Sequence, residues 1–414
     1  MPFRILSLDG GGIRGLIAAR ILEQVEAQLG QPLNEYFHLI AGTSTGSLLA
    51  AGIAIGLRPK ELREIYETQG QRIFPYTNLF SPKRLGLILK YGLSAPKFSD
   101  EGLTAVARQY LGQKTLADIT PNENSPKLLI TSYDTIRRRP FIFKSWRHRD
   151  NYAQVPVWEA CVASASAPTY FPAHALRIEE KGTAQGGDSK TIKLEHQASK
   201  LEDDYNEMPI QITAGTGQGQ TRTIKNYDGA ARVAEVDQPW NIQPDATSEY
   251  LIPNLFSLLD GGVGANNPIA CAVAEAIRLL GESERQIPMN EIINEIQVLS
   301  IGTGDRTTPI ALKTAQGSGL LEWGRRLVDV LMDAPSDIHQ YVTEQLLDES
   351  AQCYLRLQFK IDKTLINQIQ AETGYNLSPA LDDATPGNLT ALNKAADLYI
   401  AKRAKTQLAG FLRC

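Results

Sequence analysis

Ser44 sits in Gly42-Thr43-Ser44-Thr45-Gly46, a G-x-S-x-G pentapeptide where a β-type run passes into a helical one. A sharp strand-to-helix turn of this kind leaves the serine hydroxyl exposed at the helix N-terminus, and the flanking glycines let the backbone close without a Cβ clash. Ser44 is therefore the candidate nucleophile, with Thr43 and Thr45 completing the turn; a glycine-serine turn that only caps a helix is the plainer alternative. Acyl transfer through a serine also creates an oxyanion that must be held. Asp9-Gly10-Gly11-Gly12-Ile13-Arg14-Gly15 follows the first β-type run, and its three successive glycines present backbone N–H groups with little steric cover. Gly10, Gly11 and Gly12 are expected to supply the oxyanion hole, with the fixed charge of Arg14 holding the loop or adding to the positive field.

The same loop fits G-x-G-x-x-G through Gly10, Gly12 and Gly15, the fingerprint of a dinucleotide-binding turn. Such a site wants an acidic residue at the end of the second strand to bind the ribose. Here that strand ends in Ile40-Ala41-Gly42-Thr43, without an acid, so the nucleotide reading is set aside.

A hydroxyl nucleophile needs a base. The order Ser44, Asp260, His339 superficially fits a Ser-Asp-His triad, but in that fold several strands precede the nucleophile, and here only one precedes the strand leading into Ser44. His38 lies in an apolar run, His148 in a basic cluster and His196 in a polar stretch; neither they nor His174 sit in a motif. Asp260 is the better candidate. In Leu258-Leu259-Asp260-Gly261-Gly262 an apolar run delivers a carboxylate onto a glycine turn that opens the next helix. A lone D-G-G is a common turn; together with the other two motifs it points to Asp260 as the proton acceptor for Ser44.

The elements that must bring these residues together follow from periodicity. Phe3 to Leu8 reads as a strand, after which Leu16, Leu22, Val25 and Leu29 recur at helical spacing. Tyr36 to Ala41 repeats the strand and Ser47 to Ile55 the helix. Further β-type runs at Lys127 to Ser132 and Gln297 to Gly302, with a helical run from Pro268 to Leu280 between them, argue for a parallel sheet covered by helices. After Ile301 the chain turns mainly helical, most clearly at Leu320 to Met332 and Asn388 to Leu412.

Residues 177–253 differ in character. Glycine, threonine, glutamine and aspartate become frequent, and short alternating runs at Thr191 to Leu194, Ile210 to Thr213, Thr221 to Ile224 and Val233 to Val236 sit between turn signals such as Asp228-Gly229. This reads as a small antiparallel β module inserted into an α/β domain made of residues 1–176 and 254–414.

The chain has 414 residues, 43% hydrophobic and 21% charged, and a formal net charge of −4, which lacks the broad positive field of a nucleic-acid binder. The N-terminus shows no signal-peptide pattern, and no window approaches the roughly 18 to 20 apolar residues of a bilayer span. A soluble, cytoplasmic protein is expected, with possible peripheral contact at membranes. Cys161, Cys271, Cys353 and Cys414 are scattered, suggesting neither a zinc site nor a disulfide framework, and no metal or other cofactor is called for.

Four motifs in order, Asp9 to Gly15, Gly42 to Gly46, Ala163-Ser164-Ala165-Ser166-Ala167-Pro168-Thr169-Tyr170-Phe171-Pro172, and Asp260-Gly261-Gly262, make the sequence resemble the patatin-like phospholipase family. The resemblance covers roughly residues 3–176 and 254–310. It implies a three-layer α/β/α fold with a mainly parallel central sheet, a Ser44–Asp260 dyad without histidine, and hydrolysis of acyl esters of phospholipids or glycerolipids without a metal. Gly261 and Gly262 complete the family's D-G-A/G motif, and the Ala163–Pro172 segment would line or support the site. The stretch from Pro172 to Asp260 is longer than the family's usual link. Its Ile212 to Arg222, Asn226 to Gly229 and Pro244 to Ser248 are similar to a small β module of phage structural proteins, as a partner-binding surface or a passive spacer.

Two basic stretches bear on partners. Pro82 to Lys97 mixes Lys83, Arg84, Lys90 and Lys97 with leucines, which suits either an interfacial segment touching anionic lipid or an amphipathic surface helix. Arg137, Arg138, Arg139, Lys144, Arg147 and Arg149 could steer anionic head groups or keep a hairpin soluble. Two rivals stand beside the hydrolase: an acyltransferase using the same dyad, and a non-catalytic binding protein working through the insert.

Overall fold

Short runs of alternating apolar residues build a central sheet from β1 (Phe3–Leu8), β2 (Leu39–Gly42), β3 (Lys127–Asp134), β4 (Arg139–Lys144), β5 (His174–Thr183), β6 (Glu249–Asp260), β7 (Ile296–Ile301) and β8 (Tyr354–Leu357). The structure, a computed structural model, describes residues 2–78, 81–282, 288–306, 310–317, 319–347 and 354–412. The strands β8-β7-β1-β2-β3 lie side by side and parallel. Their side chains alternate between two cores, as a period-two strand requires. Leu6, Leu8, Ile40, Leu128, Ile130 and Leu299 face one set of helices, whereas Ile5, Leu39, Leu129 and Val298 face the helix Ile269–Gly281 on the other side. This is the expected three-layer α/β/α arrangement.

One edge of β3 decides where the site forms. β4 runs antiparallel along its outer edge, Asp134 opposite Arg139 and Leu129 opposite Lys144. The inner edge is shared: β2 occupies it up to Gly42 opposite Ile130, and the end of β6 continues it, antiparallel, with Asp260 opposite Ser132. The end of β6 therefore arrives in line with the end of β2.

The segment predicted as a strand from Tyr36 begins as a helical turn, Leu33–Tyr36, because Pro32 stands at its N-terminus with φ −58; only Leu39–Gly42 is extended in the sheet. The C-terminal helical run is Pro386–Tyr399, a π turn Ile400–Ala404, and Lys405–Phe411. Cys161 and Cys271 are free thiols; Cys353 and Cys414 lie outside the described residues. Among the described residues no helix is long and apolar enough to cross a membrane.

The polar stretch grows out of the sheet on a long antiparallel pair. β5 and β6 stay in register from His174 opposite Leu258 to Thr183 opposite Glu249, so positions 177 and 253 both fall inside paired strands. Beyond them Thr191–Lys193, Pro209–Ala214, Thr221–Asp228 and Val233–Val236 pair antiparallel around a separate buried cluster that includes Ile192, Ile212, Tyr227 and Trp240. Four of the six residues of the basic cluster are held in ion pairs, while Arg138 and Arg149 are exposed. Arg137 bonds Asp134 at 2.9 Å, Asp204 at 2.9 Å and Asn254 at 2.5 Å, while Arg139 pairs with Asp204, Lys144 with Glu275 and Arg147 with Asp150. Arg137 and Arg139 thus tie the inserted stretch, through Asp204, to the sheet.

Candidate active site

β1 and β2 end together, Leu8 opposite Gly42, and the Thr43 N–H closes onto the Leu8 carbonyl at 3.2 Å. The chain must then turn into the helix Thr45–Ala54 within one residue. Ser44 makes that turn at φ 54 and ψ −123, a conformation costing on the order of 1–3 kcal/mol for a residue with a Cβ. The flanking glycines are demanded by contact: a Cβ on Gly42 would stand 2.2 Å from the Gly46 carbonyl oxygen, and one on Gly46 2.2 Å from that of Leu8.

Surrounding hydrogen bonds hold the turn in place. The Ser44 N–H donates to Ser164 Oγ at 2.8 Å, and Ser47 Oγ donates back to the Ser44 carbonyl at 2.6 Å. Thr43 Oγ1 donates to the Ala265 carbonyl at 2.7 Å and lies 2.6 Å from Thr131 Oγ1. The Thr45 hydroxyl is hydrogen-bonded to that of Tyr66. Sequence reasoning placed Thr43 and Thr45 in the turn; their side chains prove to clamp it to β3 and to a neighbouring helix.

Asp260 ends β6 in full burial. Its N–H donates to the Ser166 carbonyl at 3.0 Å, the Gly261 N–H to the Ser164 carbonyl at 3.2 Å, and the Gly262 N–H to Asp260 Oδ1 at 2.7 Å. Gly261 can be nothing larger, since a Cβ there would meet Thr131 Oγ1 at 2.3 Å. The Ala163–Pro172 segment therefore braces both chemical residues, through Ser164 and Ser166. Asp260 Oδ2 is buried and makes no well-aligned hydrogen bond, although the Ser44 hydroxyl stands close enough to pull the carboxyl pKa down. Such loosely aligned contact is usual before substrate binds. Burial outweighs the Ser44 hydroxyl and the Gly262 N–H and pushes the Asp260 pKa up from 3.8 to about 7. A carboxyl poised there accepts a proton far better than an ordinary aspartate.

The three glycines divide. The Gly10 N–H donates to the Asn266 carbonyl at 3.0 Å and is spent, whereas those of Gly11 and Gly12 have no partner among the described residues, and both residues line the same cavity as Ser44. Gly12, at φ 57, passes so close beneath Leu381 that a Cβ would stand 2.1 Å from its carbonyl oxygen, which also accepts the Ile13 N–H at 2.7 Å. Arg14 is buried but lies beyond the loop, in a polar cavity with Asp305 and Arg356. Of the loop amides facing this cavity, those of Gly11 and Gly12 are the ones without a partner among the described residues.

Ser44 and Asp260 open onto a narrow cavity of about 50 Å³ walled by Leu48, Ile73, Phe74, Leu103, Phe171 and Leu381. None of the five histidines lines it; His339 Nδ1 lies 3.0 Å from the Asn267 carbonyl and His174 Nε2 3.2 Å from Glu159. Sequence reasoning missed Arg356, Tyr66 and Leu381. Arg356 on β8 holds both oxygens of Asp9, at the head of the glycine loop, yet carries no local sequence signal. The paired serines Ser164 and Ser166 offered the one hint of bracing residues.

Residues 6–188 match the sequence profile described as "Patatin-like phospholipase". Patatin-like protein 1 of rice (Oryza sativa subsp. indica) is 26% identical over 427 aligned residues, covering 96% of this chain and 81% of that protein. A cGAMP-activated phospholipase of Pseudomonas aeruginosa is 34% identical over 188 residues, 45% of this chain and 52% of that protein. Among solved structures, human GIVD cytosolic phospholipase A2 aligns over 100% of this chain and 59% of its own, at 12% identity and a TM-score of 0.39.

Proposed function

The chain belongs to the patatin-like phospholipase family, and from that premise we propose that it cleaves acyl esters of phospholipids or glycerolipids through an acyl-Ser44 intermediate, with Asp260 as its base. One observation carries the reading: a serine in a strained turn and a buried carboxyl with a pKa near 7 open together onto an apolar cavity beside two unspent amides. The apolar walls suit the acyl side of an ester, whose chain would run along Ile73, Phe74, Leu103 and Phe171 with its carbonyl over Ser44.

In the first half-reaction Ser44 Oγ attacks the carbonyl carbon as Asp260 Oδ2 takes the hydroxyl proton. The Gly11 and Gly12 amides receive the developing oxyanion, where two preorganised donors contribute most of the electrostatic stabilisation. Collapse breaks the ester C–O bond; Asp260 returns its proton to the leaving alkoxide, which departs as alcohol. Water then attacks the acyl-serine carbonyl as Asp260 takes its proton; collapse breaks the bond from the acyl carbon to Ser44 Oγ, Asp260 returns the proton to that oxygen, and the fatty acid leaves. Residues 1–176 and 254–414 form the catalytic unit in this reading, with 177–253 as an insert able to carry a protein partner. The separate buried cluster around Tyr227 supports that division.

Labelling with a serine-directed fluorophosphonate, followed by peptide mass spectrometry, tests the nucleophile. The adduct is expected on Ser44 and absent from Ser44→Ala; labelling elsewhere, or none, defeats the proposal. Product analysis with a glycerol or lysolipid acceptor separates hydrolysis from acyl transfer.

A further inference from the structure

Residues 82–97 carry four basic and no acidic side chains, in a chain whose net charge is −4. They form a turn, Pro82–Arg84, and a short helix, Leu85–Tyr91, neither of which buries a residue. Leu85, Leu89 and Leu93 follow at intervals of four and are 61%, 80% and 89% exposed, with Tyr91 at 42% beside them. Single exposed leucines are ordinary; here Leu85 and Leu89 share one face of the helix and Leu93 follows just past its end at Gly92, and such a run marks a contact surface. Lys83 and Lys90 are exposed on the same segment.

The footing of the segment is firm. The Arg84 guanidinium donates to the Ala95 and Pro96 carbonyls, and the Tyr76 hydroxyl to that of Lys97. The Lys97 and Phe98 amides donate to Thr169 at 2.8 Å and Tyr170 at 2.7 Å. Phe98 packs at 5.5 Å from Phe74 and 5.7 Å from Phe171, two walls of the acyl cavity. The foot of the segment is therefore fixed to two walls of the cavity that holds Ser44.

We propose that residues 82–97 dock on the surface of an anionic phospholipid bilayer, with Leu85, Leu89 and Leu93 entering the acyl boundary and Lys83 and Lys90 meeting the head-group phosphates. The proposal rests on the lipid acyl hydrolase reading and adds the surface that brings the site to its substrate. Charge complementarity selects the occupant. A bilayer of anionic lipid offers apolar depth and phosphate within one interface, which matches exposed Leu85 and Leu89 bracketed by Lys83 and Lys90 on one short segment.

Co-sedimentation of the full chain with phosphatidylcholine vesicles, with and without phosphatidylglycerol, tests it. Binding is expected to favour the phosphatidylglycerol vesicles and to weaken in salt. Leu89→Ser with Leu93→Ser should lower vesicle affinity by about tenfold or more, from the loss of buried leucine surface. Lys83→Gln with Lys90→Gln should remove the preference for anionic lipid. Both variants should keep the thermal midpoint and the hydrolysis of a soluble short-chain nitrophenyl ester. Absent vesicle binding, equal binding to both vesicle types, binding unchanged in both variants, or a solution dimer that the leucine variant dissolves would overturn the docking surface. A wild type that binds vesicles through this segment but leaves the soluble ester intact overturns the hydrolase reading and leaves the docking surface standing.

Discussion

Arg356 closes on Asp9 with both terminal nitrogens, Nη1 reaching Oδ1 at 2.8 Å and Nη2 bonding Oδ2, across 347 positions of sequence. Nη1 also donates to Ser300 Oγ at 2.7 Å, so the pair spans β8, β7 and the end of β1. The residue after Asp9 begins the glycine loop, and the loop's position over Ser44 depends on this anchor.

Removing the cation leaves a buried carboxylate without its partner. Arg356→Met is expected to destabilise the fold by about 3–5 kcal/mol, read from urea unfolding. Asp9→Asn in the same background should recover part of that loss, because the uncompensated charge is gone. Equal stability of Arg356→Met and wild type would contradict the anchoring role.

The strained turn at Ser44 gives a signature that simple loss of a hydroxyl does not. Glycine adopts φ 54 freely, whereas alanine keeps the strain. Ser44→Gly should unfold with about 1 kcal/mol more stability than Ser44→Ala, while both lose esterase activity. Differential scanning calorimetry beside a nitrophenyl-ester assay reads both effects.

Asp260 links activity and stability to pH with opposite signs. Its folded pKa of about 7 lies above the ordinary 3.8, so the folded protein holds a proton that the unfolded chain has already released between those values. Stability from this group is present below about pH 4 and is lost as pH rises through about 7, by on the order of 4 kcal/mol for a shift of this size. The base works only when deprotonated, so kcat/KM on a soluble ester should rise with pH to a plateau above about 7. Asp260→Asn should be inactive yet gain stability relative to wild type at pH values above that plateau's onset. A flat activity profile from pH 5 to 9 would remove Asp260 from the mechanism.

Filling the cavity tests its role as the acyl pocket. Ile73 is buried on its wall, and Ile73→Trp adds volume without touching Ser44 or Asp260. Hydrolysis of butyrate esters should survive while that of long-chain esters falls by about tenfold or more, as the lost apolar contact dictates. Parallel loss of both would assign the cavity another purpose.

Much of the site was legible because turn chemistry is local. The G-x-S-x-G glycines, the triple-glycine loop and the Asp260-Gly261-Gly262 turn each declare themselves through neighbours within a few residues, and they do occur at strand ends as read. The four short runs of the inserted stretch also emerge as strands for the same reason. Other readings needed partners that spacing does not reveal. Gly10 looked equivalent to Gly11 and Gly12 until Asn266 claimed its amide. Arg14 proved to line a second, polar cavity, and Arg137, Arg139, Lys144 and Arg147 proved to pair with Asp204, Glu275 and Asp150, partners remote or unmarked in sequence.

The sequence by itself determined which residues could do the chemistry and that strands ending in glycine turns would carry them, because alternation and backbone permissiveness are properties of a few adjacent residues. Tertiary structure alone decided that β6 continues the edge vacated by β2, placing Asp260 beside Ser44, and that β8 brings Arg356 to Asp9. Burial from all sides then moved the Asp260 pKa toward neutrality. Desolvation depends on everything packed around a group, and no spacing along the chain encodes it.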